Sequence, residues 1–183
     1  MRKKTPQVKE FIENLHNFII HSLQLRTKTE NKGEAQIQSE IRPVVIRFLE
    51  NYFKEAGYKD AVLKANKSFY WEGQEGQYGR DKKTVFGTRN YPDFIIEYPY
   101  LIAIEYKKSK SGAAVKQGLG QSIMHTMCEE FHYVYYLFHD ENKDEKIIKS
   151  IENEKEKRII EKMWNDFNIF IRFISADYLK SLK

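Results

Sequence analysis

The sequence predicts an α/β domain. A mixed central sheet is flanked by helices, preceded by an N-terminal helix and followed by a C-terminal helix–strand extension. Three observations point to it. The first 56 residues carry apolar stripes at helical spacing; residues 91–107 hold two strand-like runs joined by Tyr98-Pro99-Tyr100; and helix and strand patterns then alternate to residue 174.

Composition supports a packed fold. Of 183 residues 41% are apolar, with 12 Phe and 12 Tyr, enough for a substantial core. Lys and Arg number 31 against 26 Asp and Glu, a net charge of +5 that is compatible with a nucleic-acid partner. A single cysteine, Cys128, excludes an intramolecular disulfide framework or a Cys-based zinc site. No apolar run approaches the ~20 residues that span a bilayer. Glu10, Glu13 and His16 break up the segment after the basic start, so the expectation is a soluble cytoplasmic chain.

Residues 8–24 place Val8, Phe11, Ile12, Leu15, Ile19 and Leu23 on one helix face, and the polar residues 26–34 read as a loop. A second helix lies within 35–56, its stripe formed by Ile37, Ile41, Val44, Val45, Phe48, Leu49 and Tyr52, with Gly57 as its stop. Pro43 within that stripe implies a kink or a junction of two helical segments. Residues 61–70 read as a strand. Residues 71–90 form a long excursion rich in Gly and basic residues, with a short strand at 84–86. Strands at 91–97 and 101–107 make a hairpin. A helix over 113–130, a strand over 132–138, a charged helix over 144–165 and a strand over 168–174 complete the order. His16 and His21 read as helix-surface or packing residues, His125 as a packing residue that could border a site, and Cys128 as a small buried residue.

The chemistry concentrates in YPDFIIEYPYLIAIEYKKS, residues 91–109. If the hairpin turns about Pro99, Asp93 lies opposite Glu105. Alternation then gives Phe94, Ile96, Ile102, Ile104 and Tyr106 one face and gathers Asp93, Glu105 and Lys107 on the other. Opposed like charges destabilise a strand pair, and a divalent cation between them removes the repulsion. Mg²⁺ takes hard oxygen ligands and keeps several waters, so Asp93, Glu105 and the Tyr106 carbonyl form a candidate ligand set, with Mn²⁺ as a substitute. Lys107, one pleat along, is placed to orient or activate the water that attacks phosphorus. An ordinary exposed sheet face with a cross-strand ion pair is the plainer alternative.

Pro92-Asp93 followed by Glu105-Tyr106-Lys107 resembles the motif of the PD-(D/E)XK nuclease superfamily, the restriction-endonuclease-like fold. The order of elements reproduces that superfamily's αβββαβ core over roughly residues 38–139. The approach GTRNYPDF and the exit KKSKSGAAVKQGLGQSIMH are similar to restriction-type members. The resemblance implies one nuclease domain over 1–183: a helical extension at 1–30, a catalytic core at 35–139, and a C-terminal helix and strand at 140–183. It also implies a helical glutamate beside the metal, here Glu40 with Glu34 as the alternative, and a glutamine on the following helix, Gln117 or Gln121. The expected activity is Mg²⁺-dependent hydrolysis of DNA phosphodiester bonds by a restriction-type endonuclease acting as a homodimer, because duplex symmetry matches a twofold enzyme. Arg80, Lys82, Lys83, Arg89, Lys108 and Lys110, with Trp71, Tyr78 and Phe86 interleaved in the loop, are the expected nucleic-acid contacts. Junction-resolving, viral and repair nucleases are other subclasses of the same reading; an RNA substrate is less favoured. The alternatives are a non-catalytic nucleic-acid-binding module with this fold, and an interaction protein whose hairpin acids are surface residues.

Overall fold

A computed structural model describes residues 6–25, 32–72, 84–85, 88–89, 91–127 and 131–175. Helix α1 spans Pro6–Leu25 and buries the whole predicted stripe, Val8 through Leu23. Helix α2 spans Glu34–Glu55 and buries Ile37, Ile41, Val44, Val45, Phe48, Leu49 and Phe53, whereas Tyr52 is half-buried. Pro43 sits within this one helix on its exposed side. The missing N–H therefore leaves the Ser39 carbonyl on a solvent-facing stretch, where water can take the bond.

The stop at Gly57 is as expected. Its φ of 80° is left-handed backbone, and the bonds Tyr58 N–H to Phe53 O (2.9 Å) and Gly57 N–H to Lys54 O (3.0 Å) cap the last carbonyls.

Residues 61–70 depart from the predicted strand. Ala61–Lys67 is a helix, α3, and only Phe69–Trp71 is strand, β1. Ala61 and Ala65 are buried four residues apart, whereas Val62 and Leu63 are exposed at 53% and 54%. That is helical spacing, and Ala, Leu and Lys are good helix formers. A separate antiparallel pair follows, β2 (Thr84–Val85) with β3 (Thr88–Arg89).

The hairpin is β4 (Phe94–Ile96) and β5 (Ile102–Ser109). Helix α4 (Gly112–Met127) leads to β6 (Tyr133–Asp140). The single charged helix predicted over 144–165 is two helices, α5 (Lys146–Ser150) and α6 (Glu154–Phe167). Asn153 restarts the chain as an N-cap, its side chain accepting from Lys155 N–H at 2.9 Å. Asp140, fully buried at the end of β6, fixes the break from the other side. It accepts from the N–H groups of Asn142, Ile147 and Ile148 and from the Asn142 amide. Strand β7 is Ile169–Ser175.

Five strands form one sheet in the order β1-β4-β5-β6-β7. The pairs β1/β4 and β4/β5 are antiparallel, and β5/β6 and β6/β7 are parallel, so the sheet is mixed. All eight residues of β6 are buried, as expected of a parallel strand covered on both faces. One face, with Phe69, Phe94, Ile96, Ile102, Ile104, Tyr106 and Tyr135, packs with α1, α2 and α3. The other, with Ile95, Ala103, Val134, Tyr136, Phe138 and Ile171, packs with α4, α5 and α6. Among the described residues no helix is long and apolar enough to cross a membrane.

Candidate functional site

The hairpin register follows from alternation. Phe94 pairs with Ile104, Ile95 with Ala103 and Ile96 with Ile102. Carried one residue beyond β4, that register sets Asp93 against Glu105. Phe94, Ile96, Ile102, Ile104 and Tyr106 all enter the core shared with α1 and α2, so their neighbours Ala103, Glu105 and Lys107 take the α4 face.

Hydrogen bonds fix the charged groups. Asp93 Oδ2 accepts the backbone N–H of Tyr106 at 2.7 Å, which ties the carboxylate to β5 one residue beyond Glu105. Glu105 is 7% exposed, and its Oε1 lies 2.5 Å from His125 Nε2 on α4. Glu34, the first residue of α2, spans the end of β5: Oε1 is 3.2 Å from Lys107 Nζ, and Oε2 accepts the Lys108 N–H at 2.9 Å. Its place at a helix N-terminus also suits a negative charge.

Burial makes these anions reluctant. It is the main cause that pushes the Asp93 carboxyl up to about 7; the charges of Glu105, Glu34 and Glu72 add to the rise, and the Tyr106 N–H opposes it. Burial likewise raises Glu105, against the opposing pull of its His125 bond and of Lys107. Such a pair is stabilised by a positive charge beside it. Among the described residues Asp93 Oδ1 and Glu105 Oε2 take no hydrogen bond, so each carboxylate keeps one hard oxygen donor. Also among the described residues, no three His, Cys, Asp or Glu side chains are gathered into a group that could hold a metal. A cation here would have two carboxylates and complete its shell with backbone oxygen and water, a donor set of the kind Mg²⁺ takes.

The other expected residues are distributed unevenly. Glu40 pairs with Lys32 Nζ at 2.5 Å, so it is Glu34 that meets Lys107. Gln117 and Gln121 are exposed on α4, with Gln121 one helical turn before His125. The ammonium of Lys108 is turned away from any phosphate, because its side chain is 6% exposed and Nζ bonds the Lys32 carbonyl at 2.6 Å and Glu141 at 3.0 Å. Lys110 is exposed. Arg89 belongs to β3; Arg80, Lys82, Lys83, Tyr78, Phe86 and Cys128 lie outside the described residues. Trp71 is half-buried beneath the Arg42 guanidinium, 4.2 Å from the ring centroid.

Glu72 is the neighbour that reading the sequence missed at this site, and His125, read as a packing residue that could border a site, bonds Glu105. For His125 a signal existed: Gly118, Ser122 and His125 recur at helical spacing and are all buried, which marks the inner face of α4.

Gly118 shows how close that face comes. A Cβ there would stand 2.4 Å from the Tyr136 hydroxyl, whereas Gly120 faces open space. No family model, curated protein or solved structure matches the chain.

Proposed function

We propose that the chain is a metal-dependent phosphodiesterase of the PD-(D/E)XK type that cuts DNA internally, in the manner of a restriction-type endonuclease and as a homodimer. The observation that carries the reading is the hairpin register. Carried one residue beyond β4, it sets Asp93 against Glu105 of β5, with Lys107 on the same face as Glu105 and its ammonium anchored by Glu34. Two raised carboxylates facing each other, each with one oxygen that takes no hydrogen bond among the described residues, favour a divalent cation over a chance surface cluster.

Asp93 and Glu105 would hold Mg²⁺ or Mn²⁺, with the Tyr106 carbonyl as a third protein oxygen. When bound, the ion supplies Lewis acidity toward a phosphate oxygen and makes water more nucleophilic. Glu34 orients Lys107, whose side chain is 31% exposed at the mouth of the site. There the ammonium can donate to the attacking water and offset the negative charge that grows at phosphorus. Asp93, locked to the Tyr106 N–H, is held to one orientation before any ligand arrives. DNA phosphates would meet Lys110, Arg89 and the basic residues Arg80, Lys82 and Lys83. Lys108 drops out of that set because its ammonium is already bonded.

The test is cleavage of supercoiled plasmid with Mg²⁺, Ca²⁺ or EDTA. Nicking or linearisation is expected with Mg²⁺ alone, since Ca²⁺ coordinates more loosely. Glu105→Gln should abolish it, and Lys107→Ala should slow single-turnover cleavage by roughly 100-fold or more while DNA binding persists. DNA binding without cutting by the wild-type protein would favour a binding module instead. Cutting at the wild-type rate by Lys107→Ala would remove the lysine from the mechanism.

A further inference from the structure

Glu105 reaches its partner through a densely packed layer. His125 is 1% exposed, and its ring stands nearly perpendicular to that of Phe131, 5.7 Å between centroids. Leu119 and Ile123 of the same helix join the apolar cluster with Val134, Tyr136 and Phe138. In such surroundings a carboxylate needs a donor. A carboxylate that holds a metal is ionised and only accepts, so in that state the 2.5 Å contact is a bond donated by the Nε2–H of His125 to Oε1. Oε1 is thereby engaged from the α4 side, and Oε2 is the oxygen that takes no hydrogen bond among the described residues.

A buried His–Glu pair can also be a staple between helix and sheet and nothing more. The geometry here does more than join the two layers. The bond is to one oxygen of the carboxylate that the proposed chemistry uses, and it fixes the rotation of that group about its last bond. The bond comes from α4, the helix that Gly118 lets lie against Tyr136, and Tyr136 is the β6 partner of Glu105 in register. Close approach of the helix, seating of the imidazole and orientation of the carboxylate therefore form one arrangement.

We propose that His125 is a positioning residue for metal binding: its Nε2–H holds Oε1 of Glu105 so that Oε2 is presented to the divalent cation. The inference rests on the metal-dependent reading of the site and adds to it a residue that touches neither substrate nor metal. Groups that orient a metal ligand in this way typically change metal affinity 10- to 100-fold when removed.

The experiment is calorimetric titration of Mn²⁺ into the full chain without DNA. Wild type would be compared with His125→Leu, His125→Gln, His125→Asn and Glu105→Gln, with melting in EDTA as a control for folding. The amide nitrogen of glutamine reaches about as far as imidazole Nε2; that of asparagine does not. His125→Leu and His125→Asn should weaken Mn²⁺ binding roughly 10- to 100-fold, and His125→Gln should remain within about threefold of wild type. A simple staple would lower the melting temperature of the variants without this pattern of rescue.

If His125→Leu does not fold, the glutamine–asparagine pair decides alone. Wild-type affinity in all the folded variants would overturn the proposal and leave the metal site standing. Loss in His125→Gln as deep as in His125→Asn would overturn it too, by making the imidazole itself the requirement. Failure of the wild type to take up Mn²⁺ would remove the metal-dependent reading and this inference with it.

Discussion

Replacing Asp93 by asparagine should make the metal-free protein more stable at pH 8. The folded protein holds the Asp93 proton up to about 7, against an ordinary value of 3.8. Between those limits the folded state binds more protons than the unfolded state, so stability is lost as pH rises through that window. The span is about three pH units at ~1.4 kcal/mol each, an upper limit of ~4 kcal/mol. The carboxyl is partly exposed, and screening lowers the expected effect to about 2–3 kcal/mol. Asparagine keeps an oxygen that can accept the Tyr106 N–H and removes the charge that burial and Glu105 disfavour. Urea denaturation of both proteins in EDTA, at pH 4.5 and pH 8, measures this. The curves should lie much closer at the lower pH, where about a quarter of the effect is already present, and separate at the higher, with the variant more stable. Saturating Mg²⁺ at pH 8 should then reverse the order by stabilising the wild type alone. A variant less stable than wild type at pH 8 in EDTA would show that the carboxylate is not held against its preference, and the electrostatic case for a cation would fail.

Three further outcomes are expected from the same geometry. Glu34→Gln should slow cleavage by roughly tenfold, because Lys107 loses a charged partner; Glu40→Gln, removed from Lys107, should leave the rate near wild type. Gly118→Ala should destabilise the fold by about 1–3 kcal/mol through contact with the Tyr136 ring, whereas Gly120→Ala should be neutral or stabilise by up to ~1 kcal/mol, both read from thermal melts. Burial lowers His16 and His139 to about 4, with Arg172 adding to the effect at His16 and Lys108 at His139. The unfolded chain then binds protons below about 6.5 that the folded chain refuses, so stability contributed by these groups is lost as pH falls from there toward 4. His16→Gln, which removes one of the two, should reduce that loss relative to wild type in denaturation at pH 7 and pH 4.5.

How far the sequence could be read depended on whether a feature was local. The hairpin register was legible because a short turn joins two alternating apolar runs, and a slip of one residue would have driven Asp93 and Glu105 into the core. Lys108 was legible by the same rule and was overlooked. Alternation puts it with Ile104 and Tyr106, on the other face from Lys107, and its ammonium is indeed buried there. Residues 61–67 failed because a short run of Ala, Val, Leu and Lys fits both periods, and only packing against α2 selects the helix. The start of α2 at Glu34 was hidden by the polar stretch before it. The nearer of the two candidate acids was thus read as part of a loop until the tertiary fold brought it to Lys107. Helical spacing puts His125 on the inner face of α4, but its bond is to a partner twenty positions away, and periodicity does not name that partner.

The contacts around the site differ greatly in chain separation, and that sets an order in which they can form. The β4–β5 hairpin closes across the short turn between Ile96 and Ile102, an event on the scale of microseconds. His125 joins Glu105 across 20 positions, and Glu34 reaches Lys107 across 73. Longer closures carry a larger entropic penalty. On closure entropy alone the two acids should meet first, and the glutamate that anchors the lysine should arrive when α2 docks. A partly opened molecule that has released α2 keeps Asp93 beside Glu105 but leaves the Lys108 amide without Glu34. Hydrogen exchange should reflect this hierarchy, with the Lys108 amide opening before the Tyr106 amide that Asp93 covers.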